Sequence, residues 1–182
     1  ISHSDEVTQL FDYAIQTYGR LDVLMNNAGI MRLNKIEDVD DETIDQLLAI
    51  NLKGPLYTMR EAAKRLAHGG KIINLSSSVV GMKLETYGVY TASKAAIESL
   101  TAILAKELRG KNITVNAIAP GPTATALFLE GKSDELIARL IQAAPLERLG
   151  TVEDIAAVLD FAVNEGSNWV NAQILRVNGG IV

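Results

Sequence analysis

The sequence contains no cysteine, which excludes disulfides, thiolate metal sites and a cysteine nucleophile. It has only two histidines, His3 and His68. Neither has a partner at metal-ligand spacing, so both read as plain surface residues. No serine is matched by a histidine and acid, which makes a serine hydrolase a poor reading. Aromatics make up only 5% of the chain, and no apolar run approaches the length of a membrane span. Positive charge is not in excess: the net charge of -5 gives no electrostatic reason to expect nucleic acid or an anionic membrane as partner. What is there is 182 residues, 48% hydrophobic and 21% charged. That suits a single domain over 1–182 with one good-sized core, soluble and expected in the cytoplasm.

Short apolar runs alternate with longer helical patterns. Ser4 is placed to cap a helix from about Asp5 to Tyr18, with Gly19 as its stop. Leu21 to Met25 reads as a strand, followed by NNAG. A long helix is expected from about Asp41 to Leu66, stopping at Gly69-Gly70. Lys71 to Leu75 is a second strand, followed by SSSVVG. A helix from about Val89 to Leu108 should bury Ile97, Leu100, Ile103, Leu104 and Leu108, and Gly110 ends it. Ile113 to Ala119 is a third strand, followed by PGPT. Helices at about Ser133 to Ala143 and Val152 to Asn164 precede a last strand, Gln173 to Val177. This order implies an α/β fold with a doubly wound, Rossmann-like parallel sheet covered on both faces. Thr123 to Ser133 is the longest break and a candidate lid.

NNAG, SSS and PGPT each stand immediately after a strand. In an open parallel sheet that is the edge where ligands bind, so the three suggest one shared crevice. Tyr90 and Lys94 are four residues apart on a helix, which puts phenol and ammonium on one face. A phenol titrates near about 10, and a nearby cation lowers that value. A tyrosine so tuned can exchange a proton with a carbonyl or alcohol oxygen. Tyr87 has Thr91 at the same offset, so it is expected to line a pocket or to pack. Ser78 is placed to hydrogen-bond a substrate oxygen, with Ser76 and Ser77 competing for the role. Asn51 interrupts a helical pattern; it either breaks the ladder and holds a water, or simply faces solvent.

NNAG (Asn26 to Gly29), Asn51, Ser78, Tyr90-x-x-x-Lys94 and PGPT (Pro120 to Thr123) come in the order and spacing of the short-chain dehydrogenase/reductase family. The resemblance runs from Ile1 to Val182. It is close to the 3-oxoacyl-[acyl-carrier-protein] reductase-like members in LDVLMNNAGI, ITVNAIAPGPT and LRVNGG. It implies an NAD(P)-dependent oxidoreductase that reduces a carbonyl of a small molecule, with NADP(H) favoured over NAD(H). Tyr90 would be the acid/base. Lys94 would lower its pKa and hold the nicotinamide ribose. Ser78 would orient the substrate oxygen, and Asn51 would anchor a relay water. Asn27, Ala28 and Gly29 would line the cofactor path, and Gly121 and Thr123 would meet the nicotinamide. The substrate would be chosen by the 123–133 loop and by Met31, Met82 and Tyr87. The long helices around 41–66 and 89–108 would pair in a homodimer or homotetramer.

The sequence departs from the family at two points. The glycine-rich T-G-x-x-x-G-x-G turn that receives the pyrophosphate is not found. By that comparison Ile1 stands just after the family's third strand, so we expect a fragment whose first strand has an exposed hydrophobic edge. The alternative is a truncated chain without catalysis, acting only as an oligomer subunit. The second departure is Ala172 in WVNAQ, where relatives usually have glycine, which puts the local backbone in question.

Overall fold

The computed structural model describes every residue from Ile1 to Val182. Four parallel strands form one sheet in the order β1-β2-β3-β4. They are β1 (Val23–Asn26), β2 (Lys71–Leu75), β3 (Thr114–Pro120) and β4 (Ile174–Val177). The register pairs Leu24 with Ile72, Ile72 with Val115, and Ile118 with Leu175. Parallel strands need crossovers, and helices supply them here. The larger helices are α1 (Ser4–Tyr18), α2 (Asp41–Leu48), α3 (Gly54–Arg65), α5 (Gly88–Glu107), α7 (Asp134–Ala143) and α8 (Val152–Val163). The shorter helices, α4 (Val79–Met82) and α6 (Ala126–Leu129), are single turns. No helix is long and apolar enough to cross a membrane.

Alternation along the strands divides the core between the two faces. Ile72 and Val115 pack with Val7, Phe11, Met59 and Ile97, from α1, α3 and α5. Ile73 and Ile118 face the other way, onto Ala162 of α8. The α/β fold and its parallel sheet are therefore as expected. β1 ends the sheet, and Val23 and Met25 on it are exposed. That matches the expected open hydrophobic edge. Leu10 and Tyr13 of α1 are exposed as well.

Several boundaries differ from expectation, each for a physical reason. Ser4 is the first residue of α1 rather than its cap; its Oγ accepts from the Arg60 guanidinium at 2.7 Å, which ties α1 to α3. The helix expected from Asp41 to Leu66 is interrupted by a π-helical turn, Ala49–Lys53, between α2 and α3. α5 buries Ile97 and Leu104, with Leu108 buried just beyond its end, but Ile103 is exposed because it lies on the outward face. The expected loop 123–133 contains α6, started by Thr125 Oγ1 accepting from the Phe128 amide.

A buried polar chain pins the end of β1. Asn26 Nδ2 donates to Asn74 Oδ1 at 2.8 Å, and Thr58 Oγ1 donates to Asn26 Oδ1 at 2.6 Å. Asn74 Nδ2 in turn donates to Thr101 Oγ1 at 2.9 Å. Because each amide is satisfied, the network rigidifies the core rather than weakening it. It also fixes the point where the loop after β1 leaves the sheet.

Ala172 has φ +60°, in the left-handed region. Its amide donates to Val115 O at 2.9 Å, so the conformation is held by the start of β3. A side chain in that region costs roughly 1 kcal/mol or more. Ala172→Gly should therefore stabilise the fold by about 0.5–1 kcal/mol, after the entropy that glycine adds to the unfolded chain. A urea midpoint that stays put or falls would contradict this.

Candidate active site

The polar stretches after β1, β2 and β3 do meet. Together with α4 through α8 they enclose a cavity of about 300 Å³. Asn27, Gly29, Ser78, Tyr90, Lys94, Gly121 and Thr123 line it. Ala28 is exposed and does not, and Asn51 stands behind the lining.

Asn51 is 1% exposed, so it does not face solvent. Its side chain pairs with both backbone groups of Ile30: Oδ1 accepts from the amide at 2.9 Å, and Nδ2 donates to the carbonyl at 2.8 Å. The π turn supports this arrangement, because the wider turn lets Asn51 point inward at the loop. Gly29 lies between Asn51 and Lys94. A Cβ on Gly29 would come within 3.3 Å of Asn51 Oδ1 and 3.8 Å of Lys94 Nζ. Absence of a side chain there keeps the cavity floor open beside the ammonium.

Tyr90 and Lys94 share one face of α5, and the ammonium sits 5.7 Å from the centre of the Tyr90 ring. Lys94 Nζ donates to Leu75 O at 2.8 Å and has no carboxylate partner. Burial pushes its pKa down to about 8. Burial also raises the Tyr90 phenol above its usual value, while the Ser77 hydroxyl works the other way. In the free protein the net shift of Tyr90 is therefore upward, set by burial rather than by Lys94. Desolvation, which disfavours both charged forms, is the leading cause at each group. Tyr87, just before α5, lies edge-on to Tyr90 with ring centres 6.5 Å apart.

The three serines point in three directions. Ser76 Oγ donates to Glu98 Oε1 at 2.6 Å. Ser78 Oγ donates to Ala119 O at 3.0 Å and accepts from Asn178 Nδ2 at 2.9 Å. Ser78, expected to orient the substrate, lines the cavity while its hydroxyl bonds to β3 and to the loop after β4. Ser77 is less buried than either neighbour, and it is the one whose hydroxyl acts on Tyr90. The chain turns helical at Ser78, with φ -62° and ψ -13°, which aims its side chain differently from those of Ser76 and Ser77.

Past β3, Gly121 is required by close approach: a Cβ would sit 2.7 Å from Asn178 Cα. Thr123 Oγ1 donates to Gly121 O at 2.9 Å, and Thr123 pairs in parallel with Gly150. Gly150 is anchored by the capping box of α8, in which Thr151 and Asp154 exchange hydrogen bonds. Asp154 is also paired with Arg148 and is held well below the usual carboxylate range. Phe128, within the 123–133 segment expected to choose the substrate, lines the cavity, and Leu140 and Ile155, which the sequence does not single out, line it as well.

Nothing in the chain groups three or more acidic or histidine side chains as a metal site.

The family model described as enoyl-(acyl carrier protein) reductase matches residues 1–182. The short-chain type dehydrogenase/reductase of Picea abies is 46% identical over 186 residues, covering 100% of this chain and 69% of that protein. The NADPH-dependent aldehyde reductase-like protein, chloroplastic, of Arabidopsis thaliana is 40% identical, with 100% and 69% covered. Among solved structures, a short chain dehydrogenase from Burkholderia cenocepacia in complex with NADP superposes with a TM-score of 0.93 at 29% identity, over 99% of this chain and 73% of that one. On full-length sequence match and superposition together, the chain belongs to the short-chain dehydrogenase/reductase family.

Proposed function

We propose that the protein is an NADP(H)-dependent carbonyl reductase that converts an aldehyde or ketone to its alcohol. The observation that carries this is the Tyr90–Lys94 pair on one helix face at the wall of a cavity, with Lys94 buried and Tyr90 partly so. The residues present fit a nicotinamide riboside. Lys94 is a buried cation with one of its three protons taken by Leu75 O, so it has donors left for sugar hydroxyls. The bare backbone at Gly29, beside Lys94, leaves room for the ring. The likeness to an NADPH-dependent aldehyde reductase-like protein of Arabidopsis and to the Burkholderia dehydrogenase in complex with NADP favours NADP(H) over NAD(H).

When bound, the reduced nicotinamide supplies the hydride to the carbonyl carbon. Everything else falls to this chain. Tyr90 Oη gives its proton to the carbonyl oxygen as negative charge develops there, and its raised pKa keeps that proton in place at neutral pH. Ser77 donates a second hydrogen bond to the same oxygen. Lys94 favours the phenolate left behind and holds the sugar. Asn51 fixes the loop over the cofactor path by its pairing with Ile30. A relay water between Asn51 and Lys94 would have to use the second lone pair of Oδ1 or the main chain. Thr123 would meet the carboxamide end.

The test compares two serines while NADPH consumption is followed with aldehyde and ketone substrates. Ser77→Ala should lower kcat by about 10²-fold, the usual cost of one such donor. Ser78→Ala should leave kcat within severalfold and instead cost about 1–2 kcal/mol of stability, since it strips partners from Ala119 O and Asn178. Loss of turnover in Ser78→Ala alone would return the role to Ser78. A 3-oxoacyl thioester, the substrate implied by the likeness to acyl-carrier reductases, belongs in the same assay.

A further inference from the structure

We infer that the cavity selects an uncharged, predominantly apolar carbonyl compound, and that Tyr87 offers the one hydroxyl available to it away from the reacting oxygen. This rests on the reductase reading above and narrows its substrate.

Lys94 is the only charged side chain in the lining. It is held to Leu75 O and sits beside Tyr90 and Gly29, at the reacting end. No arginine, carboxylate or histidine lines the rest. Instead the wall is built from Met31, Met82, Leu127, Phe128, Leu140 and Ile155. A carboxylate or phosphate on the substrate would be buried there without a cation, and desolvation of an unpaired charge is strongly unfavourable.

The hydroxyls narrow the choice further. Those of Ser76, Ser78 and Thr123 already donate to groups of the chain. Thr125 Oγ1 is taken up in capping α6. Ser77 and Tyr90 are assigned to the carbonyl oxygen. Tyr87 remains: it lines the cavity, is 7% exposed, and its hydroxyl has no hydrogen bond within the chain. Burial raises its pKa, so it stays a neutral phenol. The backbone holds it there at some cost, because the preceding Thr86 has φ +68°, rare for a β-branched residue. The Asn34 amide clamps the Thr86 carbonyl at 3.0 Å. A neutral phenol among methionine and leucine side chains suits a tail with at most one uncharged acceptor.

The experiment uses two aldehydes of equal length, n-hexanal and 6-oxohexanoate, which differ by a methyl against a carboxylate. With NADPH, kcat/KM should favour n-hexanal by at least about 100-fold. Leu127→Arg places a cation in the wall at a half-exposed position that tolerates it. It should shrink that ratio at least about tenfold, by weakening n-hexanal and improving 6-oxohexanoate. Equal or better use of 6-oxohexanoate by the unaltered protein would overturn the inference. Should neither aldehyde nor any ketone be reduced, the reductase reading itself fails. Calorimetric binding of hexan-1-ol against 6-hydroxyhexanoate then judges the cavity separately: preference for the alcohol supports the apolar selection, and preference for the acid overturns it.

Discussion

Tyr90→Phe should abolish carbonyl reduction, with kcat falling by about 10³-fold or more, while NADP(H) binding changes by less than about threefold. The substitution removes one oxygen and keeps the ring. The edge-on packing against Tyr87 and the position under the Lys94 ammonium therefore persist. The other phenol of the lining, Tyr87, stands to the side of Tyr90 with ring centres 6.5 Å apart and is assigned to the substrate tail rather than to the reacting oxygen. Lys94 points at Leu75 O, Ser77 is far too weak an acid, and no histidine lines the site. Single-turnover measurements separate the two effects, because binding is read before chemistry. If the variant kept more than a tenth of its turnover, Tyr90 would not be the acid.

Lys94→Met should give a more stable but inactive protein. Lys94 has a pKa near 8 when folded and about 10.4 when unfolded. Below pH 8 both states carry the proton, and the folded state bears the full cost of a buried charge. Between about 8 and 10.4 the unfolded chain binds more protons, so stability rises with pH across that window. The shift corresponds to about 3 kcal/mol. Methionine fills nearly the same volume without the charge, but it leaves Leu75 O without its donor, which returns about 1 kcal/mol. A net gain of about 2 kcal/mol at pH 7 is expected from denaturant titration, with the rise above pH 8 removed. Turnover should drop by at least about 10²-fold, because nothing then favours the Tyr90 phenolate. In the unaltered protein, reduction should decline above about pH 8 as Lys94 loses its proton. A variant that is less stable than its parent at pH 7 would show that Lys94 is held by more than its function.

How far these features were legible differs from element to element. β2 is readable to the residue, because KIINL is a short segment around Ile72 and Ile73, bounded by glycine on one side and serines on the other. The Tyr90–Lys94 pair was legible because helical spacing alone puts both on one face. The serine was not. Three identical neighbours carry no information about direction; that is decided by Glu98 on α5 and by Ala119 and Asn178 on the far side. The upward shift of Tyr90 is hidden from the sequence for a similar reason. Sequence gives the nearby cation but not the depth at which both groups are buried. The break at Asn51 was hinted at by residue type, yet the partner that keeps it inside, Ile30, is 21 positions away. The apolar period continues on both sides of it and conceals the interruption.

The π turn at Ala49–Lys53 has a bearing on how this chain tolerates length changes. A π turn holds one residue more than the α turn it replaces, so α2 and α3 are out of phase by one position, about 100° of rotation. Deleting a single residue between 49 and 53 would let one uninterrupted helix form, with better local geometry than the native one. That repaired helix could keep only one of its two faces in place. Either Met59 and Ala62 stay in the core and Asn51 swings away from Ile30, or Asn51 stays and α3 turns its core face toward solvent. The extra residue is the phase shift that lets one helix serve both the core and the loop at Ile30, and a deletion that improves the helix would dismantle one or the other.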